Sequence, residues 1–155
     1  MDFREILDSE IVRMQRELAV TIEARGQRAT GKTIAQLRTE SFPEAALLYG
    51  PAHITAMETG VSPSRDPKAK PGRVFVDSIR GWLAARGSEA NPWAVATSIL
   101  RKGTRLHRGI DPRFSSPTGT LTDVLREGKR RLRAALLADV IQRVKTELFT
   151  DFTPR

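Results

Sequence analysis

Six apolar residues, Phe3, Leu7, Ile11, Met14, Leu18 and Ile22, recur at intervals of 4, 4, 3, 4 and 4, with charged residues between them. This is the period of one helix face, so residues 2–25 must form an amphipathic helix that buries a single long stripe. Asp2 followed by Glu5 has the spacing of a capping box, and Gly26 supplies the stop. Any fold for this chain has to pack something against that stripe.

The helical period fades from Lys32 to Gly50. Ala45 to Gly50, after Pro43, reads as a short strand pairing with one near Ile34 to Thr39 in a small antiparallel sheet. Pro51 suits the first turn of a short helix to Thr59. Further on, Phe75, Ile79, Trp82, Leu83 and Arg86 before Gly87 mark an amphipathic helix, and Asn91-Pro92 opens another with Val95 and Ile99 inward and Gly103 as its stop. The two form a helical hairpin, with Trp82 and Trp93 expected to anchor it. Last, Thr120 with Asp123 caps a long helix. Its Leu121, Leu125, Leu132, Leu136, Val140, Val144 and Leu148 are expected on one inward face, broken only by Gly128. Long N- and C-terminal helices, a helical hairpin and a small antiparallel sheet make an α+β fold, expected as one domain over 1–155.

The net charge is 26 − 18 = +8, and it is unevenly placed. Residues 1–100 carry 13 basic and 12 acidic side chains, residues 101–145 carry 12 and 4, and the last ten sum to −1. A basic C-terminal third could meet nucleic acid or an acidic protein surface. No apolar run approaches the roughly 18 residues needed to span a bilayer, so no membrane contact is expected. The opening residues Met1 to Glu5 lack the pattern of a signal peptide, which predicts synthesis and initial folding in a cytoplasm. Cysteine is absent, so disulfides, thiolate nucleophiles and cysteine zinc sites are excluded.

Gly26-Gln27-Arg28-Ala29-Thr30-Gly31-Lys32-Thr33 satisfies the nucleotide-binding P-loop pattern letter for letter. A P-loop needs a buried strand before it and a helix starting at its Ser/Thr. Here the preceding element is the amphipathic helix, so the match reads as a helix-to-strand turn. His53 and His107 lie on different elements without a local carboxylate pair, the first expected as a partly buried helix residue and the second as a loop surface residue. Ser62, Ser64, Ser115 and Ser116 fall in loops without the context of a nucleophile elbow. The chain reads as non-enzymatic, with no catalytic residue, metal or cofactor expected.

Two irregular segments remain. Residues 61–73 hold three prolines and four basic side chains with almost nothing to bury, and residues 103–119 are a second basic loop. Loops of this length inside a compact fold tend to be functional. Both read as arms for contact with another chain, through Arg65, Lys68, Lys70 and Arg73 in the first and Arg105, Arg108 and Arg113 in the second. The final helix adds a dense basic run in which Arg126, Lys129, Arg130 and Arg133 can track a phosphate strand. No base-reading motif accompanies it, so any DNA contact would be blind to sequence.

Taken in order, these pieces resemble the small tail-completion and head–tail-joining proteins of tailed bacteriophages. The resemblance is carried by an N-terminal helix, Ala29-Thr30-Gly31-Lys32-Thr33 leading into strand, Leu47-Leu48-Tyr49-Gly50, and Ile54 to Gly60 before the Pro/Arg loop. It continues through Ile79-Arg80-Gly81-Trp82-Leu83-Ala84-Ala85-Arg86-Gly87 and Ala94 to Thr104, and closes with a loop and a long terminal helix. It implies a structural subunit that forms a ring, hexameric or dodecameric, in the neck of the virion. Its partners would be further copies of itself, the portal or connector and the tail proteins, around the channel through which DNA passes. The alternative is a stand-alone basic protein that binds nucleic acid without sequence preference.

Overall fold

In the computed structural model, which describes residues 2–27, 31–113 and 116–150, the elements are six helices and two strands in the α+β arrangement expected from the sequence. Helix α1 (Phe3–Ala24) is followed by one helical turn, α2 (Lys32–Ala35), and by strands β1 (Arg38–Ser41) and β2 (Ala46–Tyr49). Helices α3 (Ile54–Thr59), α4 (Arg73–Ala85), α5 (Pro92–Lys102) and α6 (Thr122–Thr150) complete the order.

α1 is the central element because its stripe is covered on two sides. Of the expected stripe Leu7, Ile11, Met14, Leu18 and Ile22 are buried, with Ile6 beside them, whereas Phe3, in the first turn of the helix, is 39% exposed. α6 lies along one flank and the two strands along another. Ile11, Met14, Leu18 and Ile22 join Leu37 and Val124 in the core, closed over by Ile34, Leu48, Ile54, Met57, Leu121 and Leu125. The Glu5 carboxylate accepts the Asp2 N–H at 2.9 Å, so one half of the expected capping box is plainly made.

The strands pair antiparallel with Arg38 opposite Tyr49 and Ser41 opposite Ala46, and the Arg38 guanidinium lies 4.9 Å from the Tyr49 ring centre. β1 begins later than the expected Ile34, because residues 32–35 wind into α2 after Gly31, whose φ of 75° turns the chain. Gln15 fixes the entry to the sheet by donating to the Leu37 carbonyl at 2.8 Å.

α4 and α5 pack mainly on each other. At α5 the Asn91 side chain accepts the N–H groups of Trp93 and Ala94 at 2.9 and 3.3 Å, and Pro92 occupies the first turn, as the sequence predicts. The expected anchors are different residues, however. Val76, Leu83 and Ala96 are the buried contacts, whereas Trp82 and Trp93 are 39% and 49% exposed. Trp82 instead lies under the Arg86 guanidinium at 4.8 Å.

The long helix α6 also departs from expectation. A residue every fourth position advances about 400° on a helix that closes a turn every 3.6 residues, so a stripe with that spacing drifts around the axis. Leu121, Leu125, Leu132 and Leu136 are partly buried, but Val140, Val144 and Leu148 have rotated into the open. The face toward α1 is completed by Val124, Gly128 and Arg131. Gly128 is no interruption: a Cβ there would stand 2.5 Å from the Cγ and Sδ of Met14, so its missing side chain is what lets the helices approach.

Candidate partner-contact and DNA-facing surfaces

The first loop leaves, and the second loop enters, one polar knot at the end of α3. Glu58 is buried, and its Oε2 accepts the Leu121 N–H at 2.9 Å and the Thr118 hydroxyl at 3.2 Å. A carboxylate from α3 therefore caps the start of α6, where the sequence suggested Thr120. Burial pushes the Glu58 carboxyl up, but the hydrogen bonds from Leu121, Thr122 and Thr118 outweigh it and hold its pKa below the ordinary value.

The knot extends to the end of α1. Gln27 donates to the Met57 carbonyl at 3.0 Å and accepts the buried Thr120 hydroxyl at 2.7 Å. Arg25 donates to the Thr118 carbonyl and reaches Asp123 at 3.5 Å. The Thr118 N–H closes the set on the Glu58 carbonyl at 2.8 Å. None of these residues stands out in the sequence. Beside the knot, Gly60 and Gly103 end α3 and α5 with positive φ and are crowded: a Cβ on Gly60 would meet the His107 nitrogen at 2.5 Å, and one on Gly103 the Val61 carbonyl at 2.8 Å.

Loop 61–73 is anchored at its start. The Thr104 N–H donates to the Val61 carbonyl at 2.9 Å, the Thr104 hydroxyl accepts the Val61 N–H at 3.0 Å, and Ser64 donates to the Leu100 carbonyl at 2.7 Å. Residues 61–64 thus pack on their own chain, contrary to the expectation that the whole arm lacks such contacts. Beyond Ser64 the hydrogen bonds among the described residues are those of local turns, such as Asp66 accepting the Lys68 N–H at 2.8 Å. Arg65, Lys68, Lys70 and Arg73 are all exposed on it.

In the second loop Arg105 and Arg108 are exposed, and Arg113 is folded back onto Asp111 at 3.3 Å, which holds the Asp111 carboxyl below its usual range. Positions 114 and 115, including Ser115, lie outside the described residues. The rest is tied to the knot through Ser116, whose hydroxyl donates to the Thr59 carbonyl at 3.4 Å.

Arg126, Lys129, Arg130 and Arg133 are exposed along the side of α6 turned away from α1, as the helical spacing predicts. Arg126 is 3.4 Å from Asp123 and Arg130 is 2.6 Å from Glu127, whereas Lys129 and Arg133 have no ion pair among the described residues. The hydrogen bond from Arg130 keeps the Glu127 carboxyl low. Arg131, the remaining member of the basic run, points the other way and meets Glu10 and Glu17 of α1 at 2.6 and 2.7 Å.

The stretch matching the P-loop pattern has α1 in front of it and a single helical turn behind it, so the strand–loop–helix frame is missing; Arg28, Ala29 and Thr30 lie outside the described residues. His53 is exposed ahead of α3, where its Nε2 is 2.8 Å from the Thr33 hydroxyl, and so is not the partly buried residue expected; His107 is exposed as expected. No group of three or more His, Asp or Glu side chains suited to a metal occurs among the described residues, and none of their helices is long and apolar enough to cross a membrane. No family model, curated protein or solved structure matches the chain.

Proposed function

We propose that the chain is a structural subunit of the neck or tail-completion region of a tailed phage particle, acting by assembly rather than by chemistry. The order of its elements resembles that family from end to end. The observation that carries the reading is the common root of the two basic loops. The starts of the two loops are tied together through Val61 and Thr104, and Arg65, Lys68, Lys70, Arg73, Arg105 and Arg108 are exposed along them while Arg113 folds back onto Asp111, so one base presents two polar, cation-rich arms. Arms of this kind suit contact with acidic surfaces of neighbouring subunits, here further copies in a ring and the portal and tail proteins on either side.

A second reading, a sequence-blind nucleic-acid binder, is favoured by the row Arg126, Lys129, Arg130 and Arg133. Complementation separates the two. In a phage whose own copy is disrupted, the wild-type chain should restore joined heads and tails, and a chain with Arg65, Lys68, Lys70 and Arg73 all changed to serine should not. Failure of the wild-type chain to restore joining, together with tight duplex binding that falls steeply with salt, would replace the first reading by the second.

A further inference from the structure

Among the described residues α1 is the element packed along α6, and it stops short of the distal part of that helix. Arg25 with Asp123, Met14 with Gly128 and Glu10 with Arg131 set an antiparallel register between α1 and α6. On that register α1 begins opposite roughly residue 139, one and a half ångströms of rise per residue on each side. Every residue from Val140 to Leu148 is exposed. An overhanging helix of this length has little intrinsic stability in water, since most helical stability comes from packing an apolar face.

That face exists, and it is not a continuation of the one toward α1. Ala134, Leu137, Ile141, Val144 and Leu148 follow at intervals of 3, 4, 3 and 4, the a/d spacing of a helix-to-helix seam, with Val140 flanking it. Leu137, Val140, Ile141, Val144 and Leu148 are 61%, 55%, 45%, 48% and 59% exposed. At about 100° per residue the seam lies on the side of α6 opposite Val124 and Gly128, in line with Arg126, Arg130 and Arg133. One outward face is therefore basic over its first half and aliphatic over its second.

We propose that this seam is covered by the same seam of a second copy of the chain, the two α6 helices running antiparallel and overlapping only in their distal halves. Charge selects this arrangement. A parallel pair would set Arg126, Lys129, Arg130 and Arg133 beside their own duplicates, whereas tail-to-tail overlap sends the two basic halves to opposite ends. The same overlap keeps the α1–sheet bodies apart, because each is attached to the proximal half of its helix. Area is adequate: an exposed aliphatic stripe on the order of 500 Å² per copy, typical of a functional surface patch, gives roughly 1,000 Å² across a two-fold, the lower bound for a specific interface. The pairing is isologous and rests on α6 alone, independent of the ring reading.

Light scattering after gel filtration of the full chain tests it. The wild-type mass should be an even multiple of 17.2 kDa, and Ile141→Glu with Val144→Glu should halve it while leaving the circular dichroism of the folded chain in place. Because the chain has no cysteine, orientation can be read separately: a short bismaleimide should join copies through Ile141→Cys and fail to join them through Ala134→Cys. A monomeric wild type would overturn the proposal and leave the seam to a different protein. A mass unchanged by the double substitution, or efficient cross-linking at position 134, would overturn it equally.

Discussion

Arg131 offers the sharpest test of how α6 is phased. Its guanidinium donates through Nε to Glu10 at 2.8 Å and through Nη2 to Glu17 at 2.7 Å, with the Arg131 side chain 17% exposed and that of Glu10 12%. Arg131→Met keeps the aliphatic stem but removes both bonds and leaves two facing carboxylates with no shared cation. Hydrogen bonds to charged groups contribute about 1.5–3 kcal/mol each, and stranding a partly buried partner adds to the loss. Glu17 is 34% exposed, so solvent softens its share. The expected cost is about 3 kcal/mol, or a melting point lower by roughly 6–12 °C for a chain of this length. Adding Glu10→Gln and Glu17→Gln to Arg131→Met should recover more than half of it. The pH dependence has a definite sign. Burial raises the Glu17 carboxyl, but bonds to Arg131 and Arg13 outweigh it and leave the folded pKa low. That stability is present above the unfolded carboxylate pKa and is lost as pH falls through the folded value. Urea unfolding between pH 7 and pH 3 should therefore show a shallower acid decline in Arg131→Met than in wild type. A loss below 1 kcal/mol with an unchanged acid profile would refute the inward phase of Arg131.

Three further outcomes are expected. Glu58→Leu, which removes the acceptor facing the Leu121 N–H and the Thr118 hydroxyl, should cost about 2 kcal/mol and remove an acid-linked loss of stability of the same sign as that of Glu17; an unaltered denaturation curve would show that α6 does not need its cap from α3. Gly128→Val forces Met14 aside and should cost about 2 kcal/mol, with Met14→Ala in the same chain restoring part of it by making room; additive losses in the double variant would argue against direct contact. Replacing residues 65–72 by a short Gly-Ser link should leave melting unchanged, since only 61–64 are bonded to α5 and Thr104, and should abolish head–tail joining in the complementation assay; a shift of several degrees would mean that the exposed segment supports the fold.

How much of this was legible depended on whether a residue's role was set by its neighbours in sequence or in space. The α1 stripe from Leu7 to Ile22, the Asn91-Pro92 start of α5 and the hairpin strand Ala46–Tyr49 are local patterns, and each lies where its spacing says, Phe3 alone of the expected stripe being exposed. The strand β1 was displaced because Gly31 begins a helical turn before the chain extends, which no alternation of side chains reveals. Trp82 and Trp93 were misplaced because aromatic residues at helical spacing are usually core, whereas here Val76, Leu83 and Ala96 are the buried contacts of the hairpin. The knot was invisible since Arg25, Gln27, Glu58, Thr118 and Thr120 are far apart in sequence and individually ordinary.

α6 joins these threads, because one uninterrupted helix of 29 residues serves two sets of contacts. Over its first half the side toward α1 is sealed by small and aliphatic residues around a partly buried cation, Arg131, that answers two acids. The opposite side there carries Arg126, Lys129, Arg130 and Arg133, which solvation keeps open. Past the end of α1 there is nothing left to seal, and the apolar residues move to the side on which the cations stood. A helix that only completed its own core would keep its aliphatic residues in phase with Val124 and Gly128. The change of phase after Leu136 is what a second interface requires: the distal seam then faces outward, clear of the domain that holds the helix, where another helix can reach it.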